Sequence, residues 1–173
     1  MIDHKLIKDF FSTLDDEKRT LQMTAENVIQ SKHVFCVGEP GEIRGLVGIR
    51  INYLCIPDLF IVVKKEYQGQ GYGHKLMMMD CEFAAKHYSF LTLSTHLTPD
   101  YASAIHLYRK YGFKQFYQHG DHVWFILPFN TRGEIARRVL PFVMPYLPFL
   151  SAVFTVALAK AIIRKFRELA RWR

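Results

Sequence analysis

The chain has 173 residues, half of them hydrophobic and 14% aromatic. That suits one compact domain with an extension and excludes disordered, collagenous and low-complexity classes. The formal charge of +7 is unevenly placed: up to Thr131, 14 Lys/Arg balance 14 Asp/Glu, whereas from Arg132 onward 9 face 2. A neutral globular domain (1–131) followed by a basic tail (132–173) is expected, and the class that net charge alone would suggest, nucleic-acid binding, finds no reading helix or stacking motif.

In chain order, Leu6, Ile7, Phe10, Phe11 and Leu14 recur at helical spacing and predict an amphipathic helix over 3–14. The start Met1-Ile2-Asp3-His4-Lys5 lacks a basic segment followed by an apolar run, so no secretory signal is read. Asp15-Asp16-Glu17 suits the start of a second helix, to about Ser31. Strands are predicted over 33–37, 43–51 and 54–63, with Glu39-Pro40-Gly41-Glu42 turning the first pair. The unbroken apolar run Leu59–Val63 reads as a central strand. Next come a glycine-rich loop, a helix over 71–87, a strand over 90–94 and a helix over 101–111 stopped by Gly112. Strands 113–118 and 122–127 close a hairpin around His119-Gly120-Asp121. The order ααβββαβαββ describes a mixed α/β sandwich and not a doubly wound sheet. Cys36, Cys55 and Cys81 are odd in number and far apart, as expected of reduced thiols. His119 and His122 flank a turn, and no metal site is read there.

Chemistry concentrates in Val62-Val63-Lys64-Lys65-Glu66-Tyr67-Gln68-Gly69-Gln70-Gly71-Tyr72-Gly73. Three alternate glycines between a buried strand and a helix let successive N–H groups face one concavity, and the helix start adds its own free N–H groups. That makes an anion cradle of pyrophosphate size, although many strand–helix connections need glycine merely to turn.

Gln68-x-x-Gly71-x-Gly73 resembles the pyrophosphate-binding motif of the GNAT superfamily of N-acetyltransferases. Ala104-Ile105-His106-Leu107-Tyr108-Arg109-Lys110-Tyr111-Gly112-Phe113 is similar to that family's second motif, A-x-x-L-Y-x-x-x-G-F. The resemblance covers about residues 3–128. It implies an α/β (α+β) fold with a mostly antiparallel central sheet flanked by helices, here extended by a C-terminal helical tail. It also implies acetyl-CoA as cosubstrate and an amine acceptor. Ile61, Val62 and Val63 match the strand whose main chain pairs with the pantetheine arm. Gln68, Gly69, Gln70, Gly71, Tyr72, Gly73 and His74 match the pyrophosphate loop and helix start. Tyr108 matches the tyrosine that protonates the leaving thiolate. Tyr101 stands where many members have an asparagine against the cofactor arm. No strand precedes the first helix, so the sheet is expected to begin at His33. Asp58 is the best-placed candidate base by chain order, against the simpler reading of a solvated aspartate at a strand start; Glu66 reads as a surface residue. The family's acceptor groove is built by the first two helices and the last hairpin, which here offer Phe10, Phe11, Tyr117 and Trp124. The competing reading is a non-catalytic CoA-binding or scaffold protein, favoured by Tyr101.

Residues 139–159 carry no charge, enough apolar length for a span of roughly 20 residues. Pro141, Pro145 and Pro148 argue against a regular helix in its first half; a basic amphipathic helix is expected after Pro148. Basic flanks on both sides favour, over a span, a monotopic arrangement at the cytoplasmic face of a membrane, the apolar segment dipping into one leaflet and the basic helix lying on its surface; the alternative is an apolar helix hidden in a homodimer or a partner protein.

Overall fold

The computed structural model describes residues 3–14, 24–29, 31, 33–52, 56–146 and 164. The described residues pack as two compact units, one drawn from those up to Arg50 and Leu59–Phe83, the other from those between Ile51 and Asp58 and from Ala84 on.

In the first unit, helix α1 (His4–Ser12) begins where the Asp3 carboxylate accepts the Lys5 N–H at 2.9 Å, satisfying one of the free donors of the first turn. Its apolar stripe, Ile7, Phe10 and Phe11 with Leu14 beyond, is buried against Val28 of α2 (Ala25–Ile29), Leu46 and Phe60. Of the second helix expected over 15–31, residues 15–23 and 30 lie outside the described residues. Strands β1 (His33–Glu39) and β2 (Glu42–Ile51) form an antiparallel hairpin from His33↔Ile49 to Glu39↔Glu42. The turn between them needs Gly41 at φ +86°. Strand β3 (Pro57–Val63) runs through both units, and helix α3 (Tyr72–His87) follows the glycine-rich loop.

In the second unit, Asp58 at the start of β3 pairs in parallel with Thr92 of β4 (Phe90–His96). Helix α4 (Ala102–Lys110) ends as predicted at Gly112, whose φ of +88° lets its N–H reach the Arg109 carbonyl at 2.9 Å. Strands β5 (Lys114–His119) and β6 (His122–Pro128) close the hairpin, and β6 pairs antiparallel with β4. Hydrogen-bonded neighbours follow the order β1-β2-β3-β4-β6-β5, mostly antiparallel, with β3 in the interior as its apolar run predicts.

Helix α5 (Thr131–Val143) departs from the expectation for the proline-rich segment, because Pro141 lies inside it. Pro141 lacks the N–H that the Arg137 carbonyl would receive, but this falls in the last turn, and the N–H of the C-cap Met144 still reaches the Leu140 carbonyl. Burial of Ala136 and Leu140 against Phe90 and Ile126 offsets the lost bond. Arg132, where the charge balance changes, therefore sits in the first turn of a packed helix. The Asn130 side chain caps that turn, accepting from the N–H groups of Arg132 and Gly133 at 3.0 and 3.2 Å. Gly133 is needed because a Cβ there would stand 2.2 Å from the Ser89 carbonyl oxygen, which is backbone and cannot yield. Gly133→Ala is expected to cost about 2–3 kcal/mol in urea unfolding, the scale of overpacking against a fixed wall; an unaltered midpoint would show that α5 docks elsewhere.

The part of the tail expected to form a helix after Pro148 lies outside the described residues except Arg164. Among the described residues no helix is long and apolar enough to cross a membrane. Cys36 and Cys81 are free thiols, pushed by burial up to about 11 and about 12, so both stay neutral and unreactive near neutral pH. Cys55 is outside the described residues.

Candidate active site

The glycine-rich loop of the first unit has the backbone its sequence calls for. Gly69 and Gly71 adopt φ of +76° and +86°, a region that strains other residues, and the space a Cβ would take at either is open. Gly73 needs no such φ and lies in the first turn of α3. Residues 68–71 and His74 are exposed, as a site for a charged group of the solvent phase must be. Two glutamines brace the loop onto the chain before it. Gln68 Nε2 donates to the Val63 carbonyl at 3.0 Å and Gln70 Nε2 to the Glu66 carbonyl at 2.9 Å. Val62 is buried, Ile61 and Val63 are half-buried, and Glu66 is exposed as expected.

A side chain that the motif does not contain holds both ends of this loop. The Arg44 guanidinium of β2 donates to the Tyr72 hydroxyl at 2.8 Å and lies 4.7 Å from the Tyr67 ring centre. Arg44 also bonds Glu42 and Glu39, and Tyr67 donates its hydroxyl to Glu42 at 3.1 Å. Glu42 is held below the usual carboxylate range, first by that phenol and then by Arg44. Lys64, nearly buried, places Nζ 3.8 Å from Glu42. The readable signal was an arginine near the start of the mostly apolar β2, but nothing in the sequence placed it beside the loop that follows the neighbouring strand.

In the second unit, Tyr108 sits on the buried face of α4, 8% exposed, its ring packed against Phe113 and Phe125. Burial, and secondarily the Tyr101 phenol, push its hydroxyl up to about 12, so it is protonated at any physiological pH. Full proton transfer to a thiolate whose ordinary pKa is near 8.5 would be uphill, so the group is suited to donating a strong hydrogen bond as the thiolate forms. The Tyr101 phenol is thus close enough to Tyr108 to be felt electrostatically. Asp58 is not the solvated strand-start residue of the simpler reading. It is 7% exposed, and the Thr92 hydroxyl lies 3.2 Å from its Oδ1 and 2.9 Å from the Pro57 carbonyl.

The expected aromatic groove is corrected in half. Phe10 and Phe11 are core residues, edge to face at 5.9 Å, because the helical stripe that carries them is the one buried on the sheet. Tyr117 and Trp124 remain half-buried on the last hairpin, 5.2 Å apart.

This order of helices and strands, with a glycine-turned loop after an interior strand, is a GNAT-like fold. Residues 30–115 match the family model of the acetyltransferase (GNAT) domain, and the chain carries a domain of that family. Solved structures agree in fold at low identity. The ribosomal-protein-S18-alanine N-acetyltransferase from Escherichia coli is 20% identical over 76% of this chain and 92% of its own, with a TM-score of 0.54. The protein yncA from Salmonella typhimurium, solved with its cofactor acetyl-CoA, is 18% identical over 75% and 92%, with a TM-score of 0.55. The GNAT domain of S. lividans PAT is 15% identical over 73% and 85%, with a TM-score of 0.58. No curated protein matches the chain.

Proposed function

We propose that the protein transfers an acetyl group from acetyl-CoA to an amine by direct attack within a ternary complex. The observation that carries this reading is the pair of positive-φ glycines, Gly69 and Gly71, with open space beside both, in the exposed loop just before α3. In this reading residues 68–74 hold the pyrophosphate, and the main chain of Ile61, Val62 and Val63 receives the pantetheine arm. The attacking amine forms a bond to the thioester carbon, and a strand N–H near Val63 supports the carbonyl oxygen. Tyr108 donates to the departing sulfur. Tyr108→Phe is expected to lower turnover about 10- to 100-fold with acetyl-CoA affinity unchanged; equal turnover would remove Tyr108 from the reaction.

Tyr101, in place of the family's common asparagine, favours a second reading in which the domain binds CoA without catalysis. Release of free thiol from acetyl-CoA in the presence of an amine library separates the two. We also propose, on sequence alone, that the apolar and basic end of the chain associates with a membrane surface. Full-length protein that stays in the soluble fraction without detergent would sink that idea.

A further inference from the structure

The end of β4 and the start of β6 lie opposite each other, with His96 in register with His122, and β5 sets His119 opposite His122 in turn. Directly opposed residues of antiparallel strands share a face. The His96 and His122 rings accordingly meet, their centres 4.7 Å apart. Two residues along the same face Trp124 stacks on His122 at 4.2 Å, planes 8° apart, and Tyr117 stands beyond it. These side chains are half-buried, so the wall they form is open to a solute. In the hairpin turn, the Asp121 carbonyl accepts the Leu97 N–H at 2.7 Å, which ties the turn to the end of β4. The Asp121 carboxylate then lies 3.4 Å from His96 Nδ1. On the other side the Tyr101 ring is 6.1 Å from His96, and Tyr101 in turn acts on Tyr108. Phenols, imidazoles and indole thus run side by side from Tyr101 to Trp124.

No set of three or more His, Cys, Asp or Glu among the described residues is arranged to hold a metal ion. An acceptor amine reaches the enzyme as an ammonium and must lose a proton before it can attack. Asp58, the acid that chain order suggests, is shut between strands with Thr92. His96 is about one-third exposed. A carboxylate on Nδ1 keeps the ring proton there and leaves the lone pair on Nε2, the arrangement of a base held by an orienting acid. A separation of 3.4 Å is long for such a bond, as is common before substrate binds. The His122 imidazole is held below its ordinary range, by burial first and then by His96, with Asp121 opposing. It therefore stays neutral and does not repel a cation, while Trp124 and Tyr117 attract one.

We infer that His96, oriented by Asp121, is the base that deprotonates the acceptor ammonium, which is received against His122, Trp124 and Tyr117. The inference rests on the acetyl-transfer reading above. The ammonium gives one proton to His96 Nε2, and the freed lone pair forms the N–C bond as the C–S bond breaks. The departing thiolate is held by a hydrogen bond from the Tyr108 phenol, which keeps its proton. The new amide nitrogen loses its second proton, which passes through solvent to the thiolate, and the imidazolium returns its own to water. Asp121, His122 and Tyr101 are the titratable groups facing His96 among the described residues.

The test measures thiol release from acetyl-CoA with a pooled library of peptides and small amines, from about pH 6 to about pH 10. Wild type, His96→Gln and Asp121→Asn are compared, with acetyl-CoA affinity measured by calorimetry. His96→Gln is expected to lose about 100-fold at neutral pH, to recover as the amine deprotonates by itself, and to bind acetyl-CoA normally. Nitrogen NMR of the imidazoles is expected to find neutral His96 protonated on Nδ1 in wild type and on Nε2 in Asp121→Asn. A wild-type rate in His96→Gln, or an Nε2 proton in the wild-type ring, overturns the base assignment and leaves acetyl transfer standing. A wild type that binds acetyl-CoA yet acetylates nothing in the library instead removes the reading that the base serves.

Discussion

Replacing Gly71 with glutamate is expected to abolish acetyl-CoA binding, raising Kd at least about 100-fold, or roughly 3 kcal/mol. Two causes add. The backbone at φ +86° disfavours any side chain, and a carboxylate in the open space over the loop would meet the pyrophosphate with like charge. The first cause alone is not informative, so a control must carry the same strain elsewhere. Gly41 provides it: φ is also +86°, its Cβ position is equally open, and it lies in the β1–β2 turn of the same unit. Gly41→Glu and Gly71→Glu should therefore lose similar thermal stability, while only Gly71→Glu loses the calorimetric signal with acetyl-CoA. Loss of binding in both variants would mean that the glycines matter for folding and not as a cradle. Retained binding in Gly71→Glu would place the phosphates elsewhere.

The strands and helices were legible because each carries its own local cause. The run from Leu59 to Val63 is apolar on both faces, Gly112 stops α4, and Gly41 and Gly120 sit at their turns with positive φ. The loop motif was legible for the same reason, since its requirement is a backbone conformation that glycine reports directly. What remained hidden depends on which strands lie side by side. His96 and His122 are 26 positions apart, and only the β4–β6 register brings their rings together. Arg44 could be seen as a charge in a strand, but its hold on Tyr67 and Tyr72 follows from long-range packing. Phe10 and Phe11 show the opposite error. Aromatic residues on an amphipathic helix look alike whether the helix lines a groove or covers a sheet, and here burial decided. Pro141 was read by its local rule, which holds in a helix interior but is relaxed in a last turn whose apolar face is already packed.

A pH titration of stability should show a second large effect, at Asp80. Leu76, Met77, Asp80 and Ala84 form the buried stripe of α3, so a carboxyl group occupies a place where helical periodicity calls for a hydrocarbon. Asp80 is fully buried, and neither carboxyl oxygen has a hydrogen-bond partner. Burial pushes its pKa up to about 7 from 3.8. Below about pH 4 the group is protonated in folded and unfolded chains alike and imposes no charge penalty. As pH rises toward 7 the unfolded chain releases the proton while the folded chain keeps it, so stability falls throughout that interval and levels off above it. The loss amounts to about 4 kcal/mol at roughly 1.4 kcal/mol per pH. Asp80→Asn keeps the shape and removes the titration. The variant should match wild type near pH 4 in urea unfolding and exceed it by up to about 4 kcal/mol at pH 8, the gap widening steadily between. The other carboxylates are common to both proteins and cancel in that difference. A gap that stays constant with pH would mean that Asp80 ionises in the folded protein as readily as in the unfolded chain, and that its charge is met by a partner rather than withheld.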